Sequence, residues 1–255
     1  MRARVADRAR AGIAALSLVL AGAAGVGCAH RQTPREHALL RVARGDLSGG
    51  TAELEMLRDQ APNDPIVWID LGHAYELGHH YDRALDAYDH AADVAPKRPD
   101  GPREGGMRAT AWGEYAAAKP RLEAAILRGD DDPETFHALG LVLLHLGDKE
   151  GARAAYTRGL AAPLGDEDAT CVLGLATLAV LEEDPKTALR WYDELARRRP
   201  QNAGAQYGRA WALTQLGRFD DADGALAEAA ALGGNPESIA KLRAWVEERR
   251  RSTKS

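Results

Sequence analysis

Three stretches of this 255-residue chain hold residue types that could do chemistry. Gly45-Asp46-Leu47-Ser48-Gly49-Gly50 is similar to a serine-protease nucleophile loop with an extra leucine. That chemistry also needs a histidine base, an orienting carboxylate and oxyanion donors, and no other part of such a fold is present. Asp221-Ala222-Asp223-Gly224 imitates the middle of a calcium loop. Phe219 stands where its first oxygen ligand belongs and Ala230 where the bidentate glutamate belongs, so the loop fails. His73, His79, His80 and His90 crowd one stretch, but a metal needs three or four converging ligands with carboxylates behind the rings. They read as surface and turn histidines, and Asp130-Asp131-Asp132 as a solvated helix-capping junction. P-loop, dinucleotide and His-Glu-x-x-His segments are absent from the sequence. The chain is expected to be no enzyme and to need no cofactor or metal.

The elements behind these residues are bounded by composition. The chain has 33 basic and 38 acidic residues, a net charge of −5, and 45% apolar residues, with aromatics at only 5%. An ordinary apolar fraction and a small net charge exclude disorder. No run of about eighteen apolar residues follows the first thirty positions, which excludes a polytopic membrane protein. Two cysteines build neither a disulfide scaffold nor a cysteine-rich zinc module. The acidic balance points away from nucleic acid.

Residues 1–27 look like an address. Arg2, Arg4, Arg8 and Arg10 precede an uncharged stretch rich in Ala, Leu and Gly from Ala11 to Val26. Gly25-Val26-Gly27-Cys28 then resembles the lipobox of bacterial lipoproteins, although leucine is usual where Gly25 stands. The resemblance implies cleavage before Cys28, which becomes the mature N-terminus and is acylated; one acyl chain anchors only marginally, and two or three make a stable anchor. The rival readings are a secreted protein cut near Ala21-Gly22-Ala23, or an uncleaved anchor. Losing residues 1–27 removes four arginines and one aspartate, so the mature chain is more acidic.

Beyond the address the sequence repeats. Counting from residue 64 as zero, Trp68, Leu71, Gly72, Tyr75, Ala84, Tyr88, Ala91 and Pro96 fall at offsets 4, 7, 8, 11, 20, 24, 27 and 32. A shift of 34 lands on Gly106, Tyr115, Ala118 and Ala125, and a second on Phe136, Leu139, Gly140, Ala152 and Tyr156. After a two-residue insertion come Leu175, Ala176, Ala188, Tyr192 and Pro200, then Ala210, Gly217, Phe219, Ala222 and Ala229. Backward, only Leu54, Leu57 and Pro62 persist. This pattern resembles the tetratricopeptide repeat (TPR) family, which implies an all-α, right-handed solenoid of helix–turn–helix units, each with a helix A and a helix B.

On that frame residues 1–27 are a signal peptide and 28–64 a linker with a degenerate first repeat. Repeats two to six occupy 65–98, 99–132, 133–168, 169–202 and 203–235, followed by a capping helix at 236–251 and a tail at 252–255. Small residues at offsets 8, 20 and 27 let A and B approach, while large ones at 4, 7, 11 and 24 fill the space between repeats. Asp64-Pro65, Asp132-Pro133 and Asp184-Pro185 each read as an N-cap with proline at the first helical position. Ile239, Leu242, Trp245 and Val246 are expected to face inward from the capping helix. Residues 99–132 fit worst, since Pro120 falls inside the expected helix B unless that helix starts late, near Lys119. Gly45 to Gly50 is expected to form the A–B turn of the first repeat, and Cys171 a reduced, buried thiol.

In this family A-helix residues at offsets 2, 5, 9, 12 and 13 line a concave surface. The resemblance therefore implies a peptide groove from Ile66, Ile69, His73, Glu76 and Leu77 in the second repeat and Glu134, His137, Leu141, Leu144 and His145 in the fourth. Leu173, Thr177, Val180 and Leu181 follow in the fifth, and Tyr207, Trp211, Thr214 and Gln215 in the sixth. The Lys and Asn that clamp a carboxylate terminus in some relatives are missing, so the groove suits a hydrophobic or extended peptide. The competing reading is a face that packs on itself. Architecture and lipobox resemble pilotins, which help type IV pilus secretins assemble in the outer membrane. The expectation is a scaffold or assembly factor, lipid-anchored through Cys28 in the bacterial envelope and facing the periplasm. Its partner would be a secretin-like or other envelope protein. The alternative is a TPR regulator or adaptor of a periplasmic cell-envelope enzyme, with a hydrolase as a remote third.

Overall fold

The computed structural model describes residues 32–162 and 169–253, and everything in them that is regular is helical. Among the described residues there are thirteen helices: α1 (Pro34–Ala43), α2 (Leu47–Gln60), α3 (Pro65–Leu77), α4 (Tyr81–Val94), α5 (Asp100–Trp112), α6 (Tyr115–Leu127) and α7 (Pro133–His145). They continue with α8 (Lys149–Leu160), α9 (Thr170–Leu181), α10 (Pro185–Arg198), α11 (Ala203–Gln215), α12 (Phe219–Ala231) and α13 (Pro236–Ser252). Odd-numbered helices are the A helices of the repeat and even-numbered ones the B helices. The described residues divide into two compact units, one up to Gly105 and one from Gly106, and the division falls within α5.

Local chemistry sets the helix starts. Asp64 accepts from the Ile66 N–H at 2.9 Å, Asp132 from Glu134 at 2.9 Å and Asp184 from Thr187 at 3.1 Å. Each precedes a proline whose missing N–H would have no helical acceptor anyway. Thr33 and Glu36 form a reciprocal capping box on α1. Asp46, Asp148, Asn202 and Asn235 cap four further helices by accepting a single first-turn N–H.

The turns repeat as regularly. Each A–B turn places one residue at positive φ, namely Gly45, His79, Gly113, Gly147, Glu183 and Gly217. Four are glycine, which takes this conformation without Cβ strain, and two are not.

Packing follows the small-against-large pattern. A Cβ added to Gly72 would lie 2.4 Å from the Tyr88 ring, and one on Gly140 2.4 Å from the Tyr156 ring. The tyrosine at offset 24 thus sits on the glycine of its own A helix. It also reaches the next repeat: Gly174 and Gly208 lie equally tightly under Tyr156 and Tyr192. In repeat three Leu122 replaces the tyrosine over Gly106. Cys171 is fully buried, with Sγ 3.6 Å from the Pro133 carbonyl.

Three expectations change. α6 starts at Tyr115 rather than near Lys119 and carries Pro120 inside it. The ring removes one N–H from the ladder, and beside the gap the Arg121 guanidinium donates to the Ala117 carbonyl at 2.7 Å. Second, of Gly45 to Gly50 only Gly45 and Asp46 serve the turn, because α2 has begun by Leu47. Gly50 is there for close approach, since a Cβ would meet Val42 at 2.5 Å and the Ala38 carbonyl at 2.8 Å. Third, α13 buries Ile239, Leu242 and Val246, but Trp245 is only half buried.

Candidate functional site

α7 and α9 are too apolar to be explained by burial alone. α7 buries Phe136, Ala138, Leu139, Gly140, Val142 and Leu143, leaving Glu134, His137, Leu141, Leu144 and His145 facing outward to different degrees. α9 buries seven of its twelve residues and still presents Leu173, 43% exposed, and Leu181, 50% exposed, with Thr177 between them. Residues four apart share a helix face, so Leu173, Thr177 and Leu181 form a continuous outward stripe, as His137, Leu141 and His145 do on α7. These positions are the ones at offsets 5, 9 and 13.

The sixth repeat differs. Tyr207 and Trp211 are half buried, packed on a cluster that joins α11, α12 and α13 through Ala210, Leu213, Leu226, Ile239, Leu242 and Val246. Trp211 also touches a second cluster around Ala179, Ala188 and Ala212. The two rings are therefore partly structural, and Thr214 is fully internal, its hydroxyl donating to the Ala210 carbonyl at 2.7 Å. In the first unit Ile66 is 38% exposed on α3, with Ile69 and His73 half buried along the same helix.

The histidines have ordinary partners. His73 Nε2 lies 3.2 Å from Glu104 Oε2, and its ring meets Tyr88 edge-on. His90 stacks on Trp68, whose indole N–H donates to the Pro62 carbonyl at 2.7 Å. His79 occupies the positive-φ turn position and contacts Tyr81. His145 stacks flat on Tyr115 with ring centroids 4.1 Å apart, and His137 lies against Tyr156. Among the described residues no group of histidines, cysteines and carboxylates is placed to hold a metal.

Polar cross-links hold the first unit. The Tyr75 hydroxyl donates to Glu55 Oε1 at 2.7 Å, and Arg83 donates to both while lying over the Tyr75 ring. Burial, then the bond to Glu55, pushes the Tyr75 hydroxyl up to about 12. Arg35 on α1 makes a two-pronged bond to the buried Asp70 on α3, at 2.5 and 3.0 Å. These bonds tie helices together, and none of them presents a reactive group.

Tetratricopeptide-repeat profiles match residues 107–167 and 179–246, together just over half of the chain. The chain belongs to the tetratricopeptide-repeat family. Solved TPR structures superpose on it at low identity. The C-terminal part of a TPR repeat-containing protein from Cytophaga hutchinsonii gives a TM-score of 0.69 at 18% identity, over 91% of this chain and 93% of that one. PilW, described as a widely conserved type IV pilus biogenesis factor, gives 0.64 at 16%, over 82% and 96%. Pseudomonas aeruginosa pilF gives 0.63 at 19%, over 83% and 95%. At these identities the likeness is one of fold. No curated protein matches the sequence.

As a TPR protein the chain is a protein-interaction scaffold, and its repeat frame shows what sequence reading missed. Trp245 and Arg249 on α13 lie 34 residues after Trp211 and Gln215 on α11. Arg249 donates to Gln215 Oε1 at 3.3 Å, so the two helices run in the same register. α13 is a seventh A helix. The period itself was the available signal, hidden because a charged terminal helix reads as a cap. Cys28 and the expected signal segment lie outside the described residues. No described helix is long and apolar enough to cross a membrane.

Proposed function

We propose that this TPR protein is a lipid-anchored assembly factor of the bacterial envelope, tethered through Cys28 and gripping a partner segment along the A-helix face of its second unit. The observation that carries the grip is the apolar stripe of α9, where two leucines stay about half exposed on a helix whose remaining faces are internal. Leaving a large aliphatic side chain in water forfeits roughly 1.5–3 kcal/mol of burial, and a partner recovers it. The tether rests on the lipobox-like Gly25-Val26-Gly27-Cys28. The type IV pilus secretin is the favoured client, because PilW and pilF combine this fold with pilus biogenesis or a pilus name.

Pull-down from solubilised membranes with Leu173→Glu and Leu181→Glu together tests the grip. Partner recovery is expected to fall at least tenfold with an unchanged melting curve, since both side chains are outside the core. Undiminished recovery sinks the groove. Cys28→Ser is expected to release the protein from membranes and to block processing; full retention would leave an uncleaved helix as the anchor. Loss of secretin multimers on deletion tests the client.

A further inference from the structure

From α9 onward the groove of the second unit carries no charge until its last helix. At offsets 2, 5, 9, 12 and 13, α9 carries Thr170, Leu173, Thr177, Val180 and Leu181, and α11 carries Gly204, Tyr207, Trp211, Thr214 and Gln215. None is ionisable at neutral pH, in a chain whose residues are 28% charged. α13 ends this run. Lys241 there is bonded to Glu237 within its own helix, at 2.6 Å, and Glu248 lines a shallow crevice with Ala244, Arg251 and Ser252. Arg249 is different. Among the described residues it meets no carboxylate: it donates to the neutral Gln215 amide at 3.3 Å and lies over the Trp245 ring, 5.8 Å from its centroid. Arg209 is neutralised by Asp193, Arg218 by Asp221 and Arg250 by Asp223 and Asp220, whereas Arg243 and Arg251 stand on α13 outside the groove offsets.

We infer that Arg249, backed by Trp245, is an acid-reading subsite at the end of the apolar groove. Resting on the reading above, it makes the partner an extended segment with apolar or aromatic side chains and an aspartate or glutamate side chain beside them. A guanidinium has five donors in a planar fork that matches a carboxylate, and here a single long bond to an amide occupies it. An aromatic ring beneath a guanidinium orients it and excludes water on one side. The neighbouring rows are uncharged, so charge would be read at one place and would fix the register of the bound segment.

The test is selection with a phage-displayed library of random twelve-residue peptides, joined to the coat protein through their C-termini. No free terminal carboxylate is then available, and only acidic side chains can be selected. Immobilised full-length protein is expected to enrich peptides rich in leucine and aromatics with one acidic residue at a constant position. Arg249→Glu should select lysine or arginine there, and Arg249→Gln neither charge. A peptide chosen by the wild type should bind either variant about tenfold more weakly, the size of one charge-assisted hydrogen bond. Both variants alter an exposed side chain, and their melting curves are expected to match the wild type. Enrichment without an acidic preference, or the same preference in Arg249→Glu, overturns the subsite and leaves the groove standing. Failure of the wild type to enrich any peptide overturns both.

Discussion

α9 and α10 are the two helices of one repeat, and they treat water in opposite ways. α10 is strongly amphipathic: Ala188 and Leu195 are buried, while Lys186, Arg190, Asp193 and Arg197 face out. α9 has no charged residue between Thr170 and Leu181, yet Leu173, Thr177 and Leu181 are exposed. A helix apolar on every side is ordinarily buried on every side. The solenoid needs each helix to bury one face against its own repeat and another against the next. B helices spend their spare face on solubility. The A helix of this repeat keeps its spare face uncharged, which makes sense when that face has something to meet.

The most forceful way to break the comparison is within α9 itself. Leu178 is fully buried and Leu173 is 43% exposed, five residues away on the same helix. Leu178→Ala is expected to destabilise the protein by about 2–5 kcal/mol, the usual cost of lost transfer energy plus a cavity. Leu173→Ala should change stability by less than about 0.5 kcal/mol. Urea unfolding of the two variants decides. Equal losses would mean that the stripe is core, and the contrast with α10 would vanish.

A smaller effect sits in the turn that joins the two helices. Glu183 holds φ of 57°, where the equivalent turns use Gly45, Gly113, Gly147 and Gly217. A side chain there costs about 1–2 kcal/mol of Cβ crowding, and glycine gives back about 0.4–1 kcal/mol through the freer unfolded chain. Glu183→Gly should therefore stabilise by roughly 0.5 kcal/mol. Gly147→Ala, at φ 86°, should destabilise. A lower melting temperature for Glu183→Gly would show that the carboxylate contributes something the backbone does not.

The same contrast explains what could be read beforehand. The repeat frame was legible because tight A–B packing demands small residues at fixed intervals, and Gly72 under Tyr88 or Gly140 under Tyr156 leaves no alternative. The outward positions of α7 and α9 followed from the frame. What stayed hidden depends on neighbours. Tyr207 and Trp211 occupy groove offsets, but they rest partly on α13 and on the fifth repeat, which a spacing rule does not convey. The continuation through Trp245 and Arg249 was masked by the charges around it. Pro120 left two helix starts open because a proline penalty of about 3 kcal/mol argues for a helix end, while packing of Ala118, Leu122 and Ala125 outweighs it.

The smallest effect belongs to α10's charged face. Glu194 receives bonds from Arg197 at 2.6 and 2.8 Å and from Arg198 at 2.7 Å. The Arg197 bonds first, and Arg198 second, hold its carboxyl at about 2, below its ordinary 4.5. A carboxyl whose value is depressed by folding stabilises the native state above its unfolded value, and that contribution fades as pH falls through the folded one. Here it is whole above about pH 4.5 and lost on the way down to about pH 2. Arg197, the larger contributor, extends into water, so screening keeps the contribution below about 1 kcal/mol. Glu194→Gln should lower the urea midpoint slightly at pH 7, and the gap to the wild type should close at pH 2. The gap should also shrink in molar salt, because solvent-facing charges are screened within a few ångströms there. A gap that persisted at pH 2 would assign Glu194 a packing role, and α10's outer face would then resemble α9's more closely than its charges suggest.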